Sequence, residues 1–270
     1  MLTVACVLSL AACATAPTAT WVAPSSQPSS ATPLPEYPQP SPTPSPSATP
    51  SLAAILAALP HFSRAPAAVP IHLTGGPDAP IFFRLPVTAP VAFLTMDDGQ
   101  DQLPSDLQVM HAAGIPFTMF LIGPVAARNP SFFRQLTADG GVIEDHTMTH
   151  PDLKGKPYAT QRSEICGART LLARTFGAAP TLFRPPYGSY DTTTLRAVHD
   201  CGLLSAFHWS ETVDQGRVNF QTSVHRINRG DIILMHFRPA FAQDVLAALL
   251  AIHSAGLTPA LLENYFPPSA

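Results

Sequence analysis

From residue 64 onward, short apolar runs alternate with stretches of helical period. The strand-like runs are Val91–Leu94, Pro116–Ile122, Gly141–Ile143, Thr181–Phe183, Leu203–Phe207 and Asp231–Met235. Between them, Gln161–Phe176 reads as a helix closed by Gly177, and Asp191 is suited to cap a helix over Thr192–Cys201 that stops at Gly202. The clearest helix is Ala240–Ala255, where Phe241, Val245, Leu249 and Ile252 share one face and Gly256 supplies the stop. Ile81–Arg84 reads as an added edge strand, and Phe132 and Phe133 as core. Strand-then-helix repetition predicts an α/β domain with a parallel sheet, open or closed into a barrel.

That pattern is missing at the start of the chain. Met1–Ala12 is apolar and small, too short to span a bilayer, and fits the apolar part of an export signal, although no Lys or Arg precedes it. Small residues before Cys13 suggest a lipoprotein signal in which Cys13 carries the lipid, so any membrane attachment is by lipid alone. Residues 13–63 then read as a Pro/Ser/Thr-rich tether, and residues 64–270 as the folded domain, with its core over about 90–266. The expected location is exported, either lipid-anchored facing the cell envelope or secreted.

Composition agrees. Of 33 charged residues only Glu36 precedes Arg64, and 31 prolines are about twice the ordinary share. A net charge of -3 argues against nucleic acid, which calls for a basic excess. A monomer is expected. With Cys6 in the signal and Cys13 lipidated, Cys166 and Cys201 remain. An exported pair is open to two readings, a disulfide closing a 35-residue loop or two buried thiols on helices, and the sequence leans to thiols.

Several strand-like runs end in chemistry. Val91–Leu94 leads into Thr95-Met96-Asp97-Asp98-Gly99, and Val142–Ile143 into Glu144-Asp145-His146-Thr147-Met148-Thr149-His150. Thr181–Phe183 leads into Arg184-Pro185-Pro186-Tyr187-Gly188, and Ile232–Met235 into His236. In a parallel sheet the carboxyl ends share one rim, where active sites are assembled. His146 and His150, four apart, face the same way if they sit on a helical turn. With one carboxylate they make a two-His, one-acid set that holds a divalent ion and leaves positions open. Adjacent acids on an extended strand point to opposite sides, so one of Asp97 and Asp98 is free for another task. The remaining histidines, His208 among them, read as surface or loop residues.

These four segments, in order, resemble the motifs of the polysaccharide deacetylase family, the NodB-homology domain of carbohydrate esterase family 4. The resemblance covers about Pro90–Phe266 and implies a distorted (β/α) barrel with fewer than eight regular units. It implies Asp98, His146 and His150 as ligands of a divalent metal, usually zinc, with cobalt, nickel or manganese as other choices. It implies Asp97 as general base, Arg184 as its partner, the Tyr187 backbone N–H as oxyanion donor, His236 as general acid, and Leu234 in the acetyl pocket. The implied activity is removal of acetyl groups from N-acetylated, or O-acetylated, polysaccharide, and the lipid anchor with its tether points to cell-envelope glycan.

One stretch departs from the family pattern. An Asp-Trp pair is expected between the Arg and last His motifs, whereas the chain reads Phe207-His208-Trp209-Ser210-Glu211-Thr212-Val213-Asp214-Gln215. Asp214 is the first candidate for the carboxylate partner of His236 and Glu211 the second. Trp209 is either the aromatic wall or ordinary core. Two further functions compete with the enzyme: a glycan-binding lipoprotein with weak catalysis, and a non-haem iron oxygenase using the same ligand set.

Overall fold

Each apolar run singled out above is a strand in the computed structural model, which describes residues 50–73 and 75–266. In chain order the strands are β1 (Ile81–Phe82), β2 (Val91–Asp98), β3 (Phe117–Leu121), β4 (Gly141–Asp145) and β5 (Leu182–Phe183). There follow β6 (Ser205–Phe207), β7 (Glu211–Asp214), β8 (Arg217–Phe220), β9 (Ile232–His236) and β10 (Thr258–Pro259). The helices are α1 (Leu52–Ala58), α2 (Pro104–Ala113), α3 (Gly123–Arg128), α4 (Pro130–Ala138), α5 (Tyr158–Phe176), α6 (Thr192–Asp200) and α7 (Phe241–Ser254). The expected signal segment, Cys13 and most of the tether lie outside the described residues.

The sheet runs β1-β6-β5-β4-β3-β2-β9-β7-β8, with β10 beside β2. All of these pairings are parallel except β7–β8, so the carboxyl ends of the parallel strands share one rim. The sheet curls into a half-barrel, the distorted (β/α) barrel expected. Side chains alternate across the central strands. Val91, Phe93, Phe120, Leu182, Phe207 and Ile232 fill the concave side, closed from below by Leu262, Tyr265 and Phe266. Ala92, Leu94, Met96, Met119, Ile233 and Met235 pack outward against helices such as α7, whose Phe241, Val245, Leu249 and Ile252 are all buried. Burial on both faces is what a helix-covered parallel strand requires. Phe132 and Phe133 are core as read.

Helix α6 is capped as its sequence indicates, with Asp191 Oδ1 accepting the Thr194 N–H at 2.9 Å. Three expectations need correction. The tether does not extend to residue 63, because Ser51 caps α1, whose Ile55 is buried in the helix-side core. Cys166 and Cys201 are not free thiols. They are bonded to each other, since α5 and α6 pack with their Cα atoms 5.1 Å apart. The hairpin β7–β8 lies within a stretch read without strands; it turns through Gln215-Gly216, both at positive φ, as primed two-residue turns require.

Candidate active site

Strand β2 ends at the rim with Asp97 level with His236 of β9 and Phe120 of β3. Strand alternation alone would send Asp98 to the opposite face. Instead Asp98 takes φ 71°, which bends the chain so that both carboxylates enter one pocket. Asp97 Oδ1 accepts from Arg184 Nη1 at 2.7 Å, while its Oδ2 lies 3.7 Å from His146 Nε2. Asp98 Oδ1 lies 3.5 Å from His146 Nε2 and 3.4 Å from His150 Nε2.

The two histidines do not sit on a helical turn. Their loop is a bend in which Thr147 (φ 72°) and His150 (φ 57°) both adopt left-handed backbone. Such residues cost about 1–3 kcal/mol each and persist only where the surroundings hold them. Here Thr147 N–H donates to Asp145 Oδ1 at 2.8 Å, and His150 N–H to Thr147 Oγ1 at 3.0 Å. Glu164 of α5 does the rest, accepting from the Met148 and Thr149 N–H groups at 3.1 and 2.8 Å and from the Thr149 hydroxyl at 2.8 Å. The sequence reading passed over Glu164, whose only signal is an acid on the helix after the loop.

His146 is buried, and its Nδ1–H donates to the Arg184 carbonyl at 2.7 Å, which directs Nε2 into the pocket. Burial pushes its pKa down to about 3, so the ring is neutral, as a ligand must be. Asp98 Oδ1 is buried without a hydrogen-bond partner, facing two imidazole nitrogens. One donor atom from each of Asp98, His146 and His150 lies within 4.8 Å of the others. Separations near 3.4 Å are what bonds of about 2.0–2.2 Å at tetrahedral to octahedral angles produce. The donor set fits a divalent ion, and the orphaned oxygen is the atom such an ion would satisfy.

Arg184 is fully buried. Its Nη1 also donates to Thr95 Oγ1 at 2.8 Å, Nη2 donates to the His208 carbonyl at 3.1 Å, and its guanidinium lies 4.4 Å over the Phe120 ring. Tyr187 holds φ 60° in a short turn, and its exposed ring meets His150 edge-on at 4.6 Å. Leu234 is buried on the Asp97 and His236 side of β9, while its neighbours Ile233 and Met235 belong to the helix-side core. Burial lowers the His236 pKa, opposed mainly by the Asp97 carboxylate.

Residues 84–206 match the family model described as polysaccharide deacetylase. A chitooligosaccharide deacetylase of Bradyrhizobium sp. is 32% identical over 152 residues, covering 53% of this chain and 69% of the relative. The chain belongs to the polysaccharide deacetylase family. A peptidoglycan-N-acetylglucosamine deacetylase of Bacillus cereus is 31% identical over 153 residues, 54% of this chain and 55% of that one. Among solved structures, a family 4 carbohydrate esterase from Streptomyces lividans, in complex with acetate, superposes with a TM-score of 0.56 at 29% identity, covering 64% of this chain and 93% of that chain.

Within this polysaccharide deacetylase domain, the stretch that departs from the family pattern divides. Trp209 reaches the site, its ring 5.9 Å from the Arg184 guanidinium. Asp214 does not pair with His236. It ends β7 at the hairpin, half exposed, with Arg238 Nη1 3.5 Å from its carboxylate, and among the charges that act on His236 its pull is the weakest. Glu211 does not pair with it either. It is buried beside Asp231, and burial and that neighbour push its pKa up to about 8. The carboxylate that acts most strongly on His236 is Asp97. His208 is no surface residue, as its half-buried ring stacks on Trp209 at 4.0 Å.

Proposed function

We propose that this protein is a metal-dependent deacetylase of N-acetylated glycan. The observation that carries the reading is the unpartnered Asp98 Oδ1 facing two histidine nitrogens, beside a second carboxylate that is held separately by Arg184. Asp98, His146 and His150 would hold the ion, and zinc suits two imidazoles and a carboxylate. A bound ion would supply Lewis acidity, making water more acidic and polarising the acetamide carbonyl. Asp97, oriented by Arg184, takes the proton from the attacking water. The Tyr187 N–H would donate where negative charge develops on the carbonyl oxygen. His236, level with Asp97 across β2 and β9, gives a proton to the departing nitrogen. Leu234 offers an apolar surface to the acetyl methyl.

The relatives support an acetylated glucosamine polymer as substrate, and an export signal with a lipid on Cys13 would set the domain against cell-envelope glycan. The test is Asp97→Asn, which should retain stoichiometric zinc yet release acetate from peptidoglycan and chitooligosaccharide at least about 100-fold more slowly. Near-normal release would remove Asp97 from its role. A zinc-loaded parent that binds glycan but frees no acetate would favour the binding protein instead, and Fe(II)-dependent oxygen consumption would favour the oxygenase.

A further inference from the structure

The carboxyl end of β6 carries a group of rings that the proposed chemistry does not use. β1 and β6 pair in parallel with Phe82 opposite Phe207, so the next residues, Phe83 and His208, emerge side by side at the rim. Their rings stack with centroids 4.4 Å apart at 24°, and the Trp209 indole stacks on the imidazole at 4.0 Å and 21°. The imidazole is therefore the middle layer of three.

Backbone contacts fix this pile. His208 N–H donates to the Phe82 carbonyl at 2.8 Å, and Ser210 Oγ donates to the Phe83 carbonyl at 2.9 Å. The Arg184 guanidinium holds the His208 carbonyl, so the layers are tied to the group that orients Asp97. Gly188 closes against the pile with φ 66°, and a Cβ there would collide with His208 Nε2 and crowd the indole. Burial lowers the His208 pKa, so the ring stacks as a neutral aromatic. At the outer end, Phe83 is 47% exposed. A single exposed ring is ordinary on a protein surface, but this one is backed by two others, the inner of which lies 5.9 Å from the Arg184 guanidinium.

We propose that Phe83, His208 and Trp209 form a stacking platform for the pyranose ring next to the acetylated unit that is cut, so that the protein selects an oligomeric glycan over a single sugar. The faces of equatorially substituted pyranoses present C–H groups, which complement the negative faces of aromatic rings. The inference rests on the deacetylase reading, and its test separates the two.

Acetate release is measured for the full chain on an N-acetylglucosamine pentamer and on p-nitrophenyl acetate. Phe83→Ala should lower the ratio of the two kcat/KM values by about five-fold, the size expected of one aromatic stacking contact, mainly through KM for the pentamer. Phe83→Trp should restore the ratio. A ratio unchanged in Phe83→Ala, or equal losses on both substrates, overturns the platform. A second measurement reads binding without turnover. The chain has two tryptophans, so Trp21→Phe combined with Asp97→Asn leaves Trp209 as the sole indole emitter. Pentamer should change its emission at concentrations where N-acetylglucosamine does not, and Phe83→Ala should weaken that response. Binding through Trp209 without acetate release by the parent sinks the deacetylase reading and leaves the platform standing. Acetate release with a silent Trp209 does the reverse.

Discussion

Replacing Glu164 by Ala should weaken metal binding without touching a ligand. Its carboxylate accepts three hydrogen bonds from Met148 and Thr149, the two residues that precede His150 in the bend. Hydrogen bonds to a charged group contribute about 1.5–3 kcal/mol when well sheltered, and these lie at a partly exposed edge, so about 1 kcal/mol each is the fair allowance. Against them stand two left-handed residues, Thr147 and His150, each costing about 1–3 kcal/mol. Losing the latch lets the bend relax and carries His150 Nε2 out of register with Asp98 Oδ1. A deficit of about 2–3 kcal/mol, expressed at the metal, is roughly 30–150-fold in affinity, at the upper end of the about 10–100-fold typical of residues that orient ligands. The assay is competition for zinc against a chromogenic chelator, using the full chain at constant pH. Glu164→Gln keeps one acceptor oxygen and should lose less than about ten-fold, since an amide oxygen replaces part of the latch. Zinc affinity in Glu164→Ala equal to the parent's would refute the reasoning, because the bend would then hold itself.

Three other outcomes are expected. Glu211 has a pKa near 8 in the fold against an ordinary 4.5, so the folded protein keeps a proton that the unfolded chain releases, and stability falls as pH rises through that window. Glu211→Gln should flatten this slope and exceed the parent by on the order of 3 kcal/mol at pH 8, read from urea midpoints at pH 5 and pH 8; an identical slope in both proteins would contradict it. Converting Cys166 and Cys201 together to Ala should cost about 3–4 kcal/mol of stability by freeing the 35-residue loop in the unfolded chain, seen as a lower urea midpoint. Cys13→Ser should move the protein from the membrane to the soluble fraction, and unchanged partitioning would count against lipidation.

The sequence by itself determined what depends on near neighbours. Short apolar runs and period-3.6 patterns marked β1 to β6, β9 and α5, α6 and α7, because each needs an apolar face whatever it packs against, while β7 and β10 went unread. The placing of Asp97, Asp98, His146, His150, Arg184 and His236 at strand ends followed from chain direction, since parallel strands deliver their carboxyl ends to one rim. What only the tertiary structure decided depends on partners distant in sequence. The left-handed backbone at Asp98, Thr147, His150 and Tyr187 has no signature in those residues, because contacts such as Glu164 to the bend and Arg184 to Asp97 hold the site together. The family pattern made Asp214 the first candidate partner of His236, and a two-residue hairpin turns it toward Arg238 instead. His208 read as a surface or loop residue, and its burial in a stack went unseen because its partner Phe83, which follows β1, lies 125 positions earlier. The disulfide was undecidable until α5 and α6 packed side by side. Local pattern names the groups a fold will use; sheet curl and register choose which of them meet, because those are set by the packing of the whole core.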